Sequence, residues 1–218
     1  MDFYNTSLEK IAQTIPGASS VLNQYKLSFC CGGKHTLTEA ANKAQLDVDE
    51  INAALMNLVP ATDSSRNWKE ASNKELIEHI LERFHQVHRE QLKELVRLAE
   101  RVETVHGNRP QCPNGLAAHL HYMKAELEGH MQKEEQILFP MLVGGMSAMA
   151  AGPINVMRQD HDDHALAINK ISELTNDITP PEGACNTWKA LYLGLEHFKA
   201  DLEAHIELEN NVLFARVA

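Results

Sequence analysis

The feature that most constrains the fold of this chain is a segment that occurs twice, about 75 residues apart. Residues 125–140 read AELEGHMQKEEQILFP, and residues 200–215 read ADLEAHIELENNVLFA. Both copies hold a histidine and, four residues later, a glutamate, which are His130 with Glu134 and His205 with Glu209. A duplicated segment indicates an architecture built from equivalent structural units. Chance seldom places His-x-x-x-Glu at matching positions in both halves of a chain.

A weaker repeat lies upstream of each copy. It is a His-x-x-His pair, formed by His85 and His88 in the first half and by His161 and His164 in the second. Each half therefore encodes two helices with histidines on both. Two such pairs predict an up-down-up-down four-helix bundle with metal ligands from every helix.

The helical register places the repeated histidine and glutamate on the apolar face. At 100° per residue, the side chains that share the stripe of His130 are Leu116, Leu120, Met123, Leu127, Glu134, Ile137, Leu138 and Met141. Glu135 falls on the solvent side. The last helix repeats the pattern, with His205 and Glu209 among Leu191, Leu195, Phe198, Leu202, Val212 and Leu213.

A carboxylate on an apolar stripe is costly unless it is paired or bound to a metal. Each glutamate lies one turn beyond a histidine on the same face, within reach of a shared ion. The alternative is a set of hydrogen-bonded core histidines beside surface glutamates. Duplication of the pair, with histidines on both remaining helices, favours a metal site.

Spacing leaves one choice open, because both members of each His-x-x-His pair lie on the core face of their helix. His85 or His88, and His161 or His164, satisfy the pattern equally well. The other histidines are expected to be structural, and these are His35, His79, His106, His119, His121 and His197.

Composition and charge narrow the class of protein. The chain has 218 residues, is 44% hydrophobic, and carries a net charge of −10, which disfavours nucleic acid and anionic lipid as partners. The sequence contains no apolar run of about 18 residues, so it predicts no membrane span. The first residues do not resemble a secretory signal. The cysteines Cys30, Cys31, Cys112 and Cys185 do not form a disulfide framework, so we expect a cytoplasmic protein.

The chain divides into a small helical domain at residues 1–60, a polar linker at 61–73, and a bundle at 74–218. Capping patterns support the helix starts, with Thr36-x-x-Glu39 and Asp47 in the small domain. Ser72-x-x-Glu75 marks the start of the first long helix. The fold class predicted is all-α.

A set of four histidines and two glutamates without a thiolate suits iron or manganese better than structural zinc. Two carboxylates that face each other across a bundle can each bridge two ions, so a dinuclear centre is expected. Neither the His-Glu-x-x-His motif of zinc peptidases nor the Glu-x-x-His pair of ferritin-like proteins is present.

The arrangement of one histidine, His-x-x-x-Glu, a further histidine and a second His-x-x-x-Glu resembles hemerythrin-like domains. With LSFCCGGK near the N-terminus, nearly the whole chain resembles the RIC (repair of iron centres) di-iron family. The resemblance implies two carboxylate-bridged iron ions held by His85, His130, Glu134, His161, His205 and Glu209. Oxygen-carrying hemerythrins use one more histidine and end with a His-x-x-x-x-Asp pair, so the resemblance does not extend to oxygen carriage.

Cys30 and Cys31 form the second candidate site. Adjacent cysteines form a disulfide only with a distorted peptide bond, so the simplest interpretation is two idle thiols. Gly32 and Gly33 nevertheless expose backbone amides, and the charge of Lys34 would lower a thiol pKa. A redox or transfer role for the two thiols is therefore a competing hypothesis.

Three functions use the same ligands. The first is repair of iron–sulfur clusters damaged by nitrosative or oxidative stress, through the supply of iron. The second is reduction of nitric oxide or peroxide by the di-iron centre, and the third is carriage of a diatomic gas. The partners expected are damaged iron–sulfur proteins, nitric oxide or other small diatomics, and a second copy in a homodimer.

Overall fold

The structure, a computed structural model, describes residues 2–29, 33–58 and 67–217. Within these ranges all regular secondary structure is helical, which confirms the all-α class. Four short helices form the N-terminal part, namely α1 (Leu8–Thr14), α2 (Ala18–Gln24), α3 (Leu37–Lys43) and α4 (Val48–Met56). They enclose a small apolar core of their own, built around Leu8, Ile11, Leu22, Leu37, Ile51 and Leu55.

Side-chain caps define where α3 and α4 begin, as the sequence predicted. Thr36 accepts a hydrogen bond from the Glu39 amide, and Glu39 accepts one from the Thr36 amide, which completes a capping box. Asp47 accepts hydrogen bonds from the amides of Asp49 and Glu50 at the start of α4. Such caps stabilise helices too short to persist alone.

Gly33 lies where no larger residue fits. A Cβ atom at this position would come within 2.3 Å of the Phe29 carbonyl oxygen and 2.8 Å of the Glu9 Cβ. The Gly33 carbonyl accepts a hydrogen bond of 2.9 Å from the Glu9 amide. The loop is thus tied to α1 by close backbone contact. Cys30 and Cys31 lie outside the described residues.

Four long helical runs form the bundle, and we call them the first to fourth bundle helices. The first, at 73–106, comprises α5 (Asn73–Ile80), a π-helical turn (Leu81–His85) and α6 (Gln86–His106). The second, at 116–143, comprises α7 (Leu116–Lys133), a π-helical turn (Glu134–Leu138) and α8 (Phe139–Val143). The third is α9 (Ala151–Thr175). The fourth, at 186–217, comprises α10 (Asn186–Leu208), a π-helical turn (Glu209–Leu213) and a short 3-10 turn (Phe214–Val217). Ser72 and Glu75 form the capping box expected at the start of the first.

The π-helical turns correct the predicted register. A π turn accommodates one extra residue, so the side chains after it are displaced by one position around the helix. Ile137, which the sequence placed in the core, is 53% exposed, whereas Leu138, Phe139 and Leu142 are buried. In the fourth bundle helix Leu213 is buried as expected, Phe214 is buried as well, and Val212 is only partly buried.

The bundle core is split into two apolar clusters. One cluster holds Leu92, Leu127, Ile168 and Leu202, and the other holds Phe84, Leu138, Met157 and Leu213. Between these positions each bundle helix contributes the buried polar residues His85, His130, Glu134, His161, His205 and Glu209. The polar layer is therefore closed by apolar packing above and below.

The N-terminal part packs at the start of the fourth bundle helix. Ala190 joins its apolar core, and Asn186 donates a hydrogen bond of 3.0 Å to the Phe29 carbonyl. Ser19 donates one of 2.6 Å to the buried Glu94. At 1.5 Å per residue, Asn186 lies roughly 28 Å along the helix from His205. The proposed division into two domains and a linker remains a prediction, and residues 59–66 of that region lie outside the described ranges.

Candidate metal centre

The six residues expected to bind metal come together in the polar layer of the bundle. Their ligand atoms form two overlapping groups, one of His85, Glu134, His205 and Glu209, the other of His130, Glu134, His161 and Glu209. Within each group the atoms lie within 4.8 Å of one another. Both carboxylates belong to both groups, whereas each imidazole belongs to one. This is the arrangement expected of two cation positions bridged by two carboxylates.

All four imidazoles direct Nε2 at the carboxylates. The Nε2 atoms of His85 and His130 lie 3.4 Å and 3.3 Å from Oε2 of Glu134. Those of His161 and His205 each lie 3.2 Å from an oxygen of Glu209. Each glutamate is thus approached by one imidazole from its own helix and one from a neighbouring helix.

Several of these atoms are buried without a hydrogen-bond partner in the described part of the chain. They are both carboxylate oxygens of Glu134 and of Glu209, and Nε2 of His85, His161 and His205. The nitrogen–oxygen distances are those of ion pairs, yet the groups are not aligned as hydrogen bonds. Buried polar atoms left unpaired in this way are costly. Cations between the imidazoles and the carboxylates would satisfy them, so the residues present fit a metal centre.

The protonation of the imidazoles also suits metal binding. Burial, with the nearby His205, lowers the pKa of His85 to about 4. Burial lowers the pKa of His130 to about 3 despite the opposing charge of Glu209. At neutral pH both rings are uncharged, and a lone pair is available on the inward nitrogen.

The two carboxylates differ when no cation is present. Burial and the proximity of Glu209 raise the pKa of Glu134 well above its usual range. Burial acts on Glu209 in the same sense, but His205 and His161 outweigh it and hold the pKa of Glu209 well below its usual range. The metal-free pair therefore retains a proton on Glu134, which a bound cation must displace.

The outer nitrogens of three imidazoles are held by hydrogen-bond partners. His85 Nδ1 lies 2.8 Å from Glu135 Oε1, and His161 Nδ1 lies 3.2 Å from Asn210 Oδ1. His130 Nδ1 lies 3.2 Å from Asp160 Oδ2, and Asp160 also pairs with Lys133. Glu135 was predicted to face solvent, and this prediction is wrong. Its side chain is only 28% exposed and turns toward His85. The repeat held a signal for this role, since Glu135 and Asn210 each follow a repeated glutamate.

The geometry separates the two members of each His-x-x-His pair. His88 and His164 are buried but belong to neither group of ligand atoms. The His88 ring lies 5.3 Å from that of His205, and the His164 ring lies 4.9 Å from that of His130. The His88 and His164 rings therefore lie beside the candidate ligands and outside both groups of ligand atoms.

Several of the histidines expected to be structural contact residues away from the polar layer. His119 Nε2 lies 2.8 Å from the Ala167 carbonyl oxygen, and His121 pairs with Glu100. His106 contacts the Cys185 thiol at 3.3 Å.

A cavity of about 310 Å³ lies beside the centre and is lined in part by His130, Lys133, Asp160 and His164.

The bundle and the polar layer define a class of protein in which histidines and glutamates from four helices surround a cation site. A family model described as the hemerythrin HHE cation binding domain matches residues 76–217, well over half of the chain. A model for a domain of unknown function, DUF542, matches residues 4–59. The chain belongs to the hemerythrin HHE cation-binding family, as its resemblance predicted.

Curated relatives cover the whole chain. The proteins named iron-sulfur cluster repair protein YtfE from Yersinia pseudotuberculosis serotype O:1b and from Yersinia pestis strain Pestoides F are each 51% identical to it over 216 residues. The match covers 99% of this chain and 98% of each relative. Both the N-terminal part and the bundle are therefore shared with these proteins.

Within the described ranges, no helix is long and apolar enough to span a membrane.

Proposed function

We propose that this chain binds two iron ions in the polar layer of its bundle and takes part in the repair of damaged iron–sulfur clusters. The observation that carries the proposal is the pair of overlapping ligand groups that share Glu134 and Glu209. The name of the near-full-length relatives supplies the process. Iron suits a ligand set of imidazole nitrogen and carboxylate oxygen.

The proposed ligands are His85, His130, Glu134, His161, His205 and Glu209. His85 and His205 would bind one ion, and His130 and His161 would bind the other. Glu134 and Glu209 would bind both ions. His85 and His130 bind as neutral rings, because burial lowers their pKa values and keeps them unprotonated at neutral pH. The apolar layers on either side exclude water and hold the helices at a fixed separation.

Bound iron would supply a labile cargo for a damaged cluster as well as redox chemistry. Each position is served by two imidazoles and two shared carboxylates, which leaves coordination sites that the protein does not fill. A modest ligand set favours release over permanent retention, as a donor requires. Cys30 and Cys31, the proposed redox or transfer thiols, offer the soft sulfur ligands that the bundle lacks.

The test is reactivation of an iron–sulfur enzyme that nitric oxide or peroxide has inactivated. The iron-loaded full chain should restore its activity, whereas the metal-free chain should not. A Glu134→Ala, Glu209→Ala double variant treated with iron in the same way should fail like the metal-free chain. Equal recovery with the double variant would contradict a role for this centre in repair.

Reduction of nitric oxide or peroxide at the same centre is the second candidate. It is favoured by the cavity of about 310 Å³ beside His130, which is large enough for a small diatomic molecule. Consumption of nitric oxide by the iron-loaded chain, without a damaged enzyme present, would support it. The homodimer and the cytoplasmic location remain predictions.

A further inference from the structure

The repeat relates the two metal positions to each other, because it matches His85 with His161 and His205 with His130, so they can be compared residue by residue. Glu135 and Asn210 occupy equivalent places, directly after the two repeated glutamates. Each of them contacts the outer nitrogen of a histidine in its own half, Glu135 that of His85 and Asn210 that of His161. In this respect the two positions are equivalent.

The equivalence fails at the residue before the first histidine of each half. In the second half this residue is Asp160, whose carboxylate holds His130 Nδ1 at 3.2 Å. In the first half it is Phe84, whose ring stacks on His205 with centroids 5.0 Å apart and planes 8° apart. A phenyl ring accepts no conventional hydrogen bond from an imidazole N–H in this stacked geometry.

His205 is consequently the one ligand imidazole whose outer nitrogen has no hydrogen-bond partner in the described part of the chain. Its side chain is nearly fully buried, at 1% exposure, so bulk water does not replace the missing acceptor. An acceptor on the outer nitrogen fixes the tautomer and the orientation of a ligand imidazole and makes it a stronger donor to the metal. The His130–His161 position has two such acceptors, and the His85–His205 position has one.

We propose that Asp160 and Phe84 make the two metal positions unequal, so that the His85–His205 position binds its ion more weakly and releases it first. This inference rests on the proposed function, because it takes the six ligands as assigned. Loss of one outer acceptor lowers metal affinity by about 10–100-fold. A protein with such a difference gives up one ion while the other keeps the polar layer assembled. Asp160 and Phe84 would then act as positioning residues, not as ligands.

The inference is tested by titrating the metal-free full chain with cobalt(II) in competition with a chelator. The wild-type chain should bind two ions in two steps that differ in affinity by about 10–100-fold. His205→Ala should remove the weaker step and His130→Ala the tighter one. Two steps of equal affinity in the wild type, or the reverse assignment in these variants, would overturn the inference.

Changes at the two positioning residues should move the steps in opposite directions. Asp160→Leu removes the acceptor from His130 and should weaken the tighter step by about 10–100-fold. Phe84→Asn supplies an acceptor near His205 and should strengthen the weaker step. Phe84→Leu and Asp160→Asn are the matched controls, because the first adds no acceptor and the second retains one, so both should preserve two separate steps.

Asp160 is partly exposed, so the Asp160 variants keep the test decisive if Phe84→Asn fails to fold. An unchanged tighter step in folded Asp160→Leu would overturn the inference on its own. Failure of the proposed function gives a different result. Cobalt binding that survives in the Glu134→Ala, Glu209→Ala double variant would contradict the proposed ligand set. Two steps of equal affinity that both depend on the glutamates would contradict only the unequal affinity of the two positions.

Discussion

Glu134 and Glu209 carry more of the candidate centre than any histidine does, because each carboxylate belongs to both groups of ligand atoms. Both side chains are fully buried, and their oxygens have no hydrogen-bond partner among the described residues. Without a cation, one of them retains a proton and the other interacts with neighbouring imidazoles. A cation bound between them would offset the cost of these buried acids, and the expected effects of single substitutions follow from that.

Replacing Glu134 with Gln should lower metal affinity at both positions, because the amide can no longer bridge as an anion. We expect iron content to fall from about two per chain to below one after gel filtration. Glu207→Gln is the matched control, since Glu207 lies two residues before the other bridging glutamate but faces solvent. Elemental analysis with protein quantification measures the result. Equal loss of iron in both variants would show that the helical register has been misassigned.

The metal-free chain should lose stability as the pH falls from 7 to 5. The pKa values of His85 and His130 are lowered to about 4 and about 3 in the folded state, whereas an unfolded histidine titrates near 6.5. Below pH 6.5 these two histidines bind more protons in the unfolded chain, as does His164, whose pKa burial lowers to about 4. Together they outweigh Glu134, whose raised pKa favours the folded chain in the same pH range, so the net effect favours unfolding. Each histidine should contribute about 1–2 kcal/mol of destabilisation at pH 5. Urea denaturation of the metal-free chain at the two pH values measures the change, and an unchanged free energy of unfolding would contradict it.

At the scale of the helix, the π-helical turns decide which side chains reach the core. Two of them begin at the bridging glutamates, and the third ends at His85. Leu138 is buried as the sequence predicted, but after the turn at Glu134 Phe139 and Leu142 are also buried, whereas Ile137 is exposed and Met141 is only partly buried. The turn also lets Glu135 approach the outer nitrogen of His85.

Leu138→Ala and Ile137→Ala form a matched test of this displacement. Leu138 is 1% exposed and should cost about 2–5 kcal/mol of unfolding free energy when truncated. Ile137 is half exposed, and its truncation should cost less than about 1 kcal/mol. Chemical denaturation of both variants supplies the comparison. Similar losses at the two positions would indicate a regular α-helix through this segment.

The sequence predicted the four bundle helices and the inward position of His130, Glu134, His205 and Glu209, because residue type, period and duplication all agree there. It could not predict the π-helical turns, since a backbone hydrogen bond from i to i+5 has no signature in side-chain chemistry. The errors at Ile137 and Glu135 both come from that omission. Asp160 could not be assigned to His130 either, because the contact joins two helices and depends on tertiary packing. His85 and His88 could not be distinguished by spacing, since both lie on the core face.

At the scale of the whole molecule, the N-terminal part and the metal layer lie at different ends of the fourth bundle helix. Asn186 binds the Phe29 carbonyl near its start, and His205 lies near its end. The N-terminal part has its own apolar core and contacts the bundle mainly where α1 packs against α10, at Ala190, and through the Ser19–Glu94 hydrogen bond. Nothing in the polar layer depends on a side chain from residues 2–29 or 33–58.

A fragment that begins at residue 67 should therefore fold and bind iron as the full chain does. Its free energy of unfolding should be about 1–3 kcal/mol lower, because Ala190 becomes exposed and Glu94 loses its buried hydrogen bond with Ser19. Iron content and thermal unfolding measure the two effects. A fragment that folds but binds no iron would contradict the independence of the centre.

Repair activity should separate from iron binding if Cys30 and Cys31 transfer iron or a nitrosyl group. The Cys30→Ala, Cys31→Ala double variant should keep its iron and lose most of its ability to reactivate a damaged iron–sulfur enzyme. Cys112→Ala is the matched control, because that buried thiol lies within the bundle core. Full repair by the double variant would leave the cysteine pair without a functional role.

The repeat has a consequence for self-association. Neither copy of the repeat contains a complete candidate metal position, because His85 meets His205, His130 meets His161, and each copy supplies only one of the two shared carboxylates. A single copy, about 75 residues long, would hold metal only as a symmetric pair of helical hairpins. Two copies in one chain make such pairing unnecessary. They can also differ from each other, as Phe84 and Asp160 do, which two identical hairpins cannot.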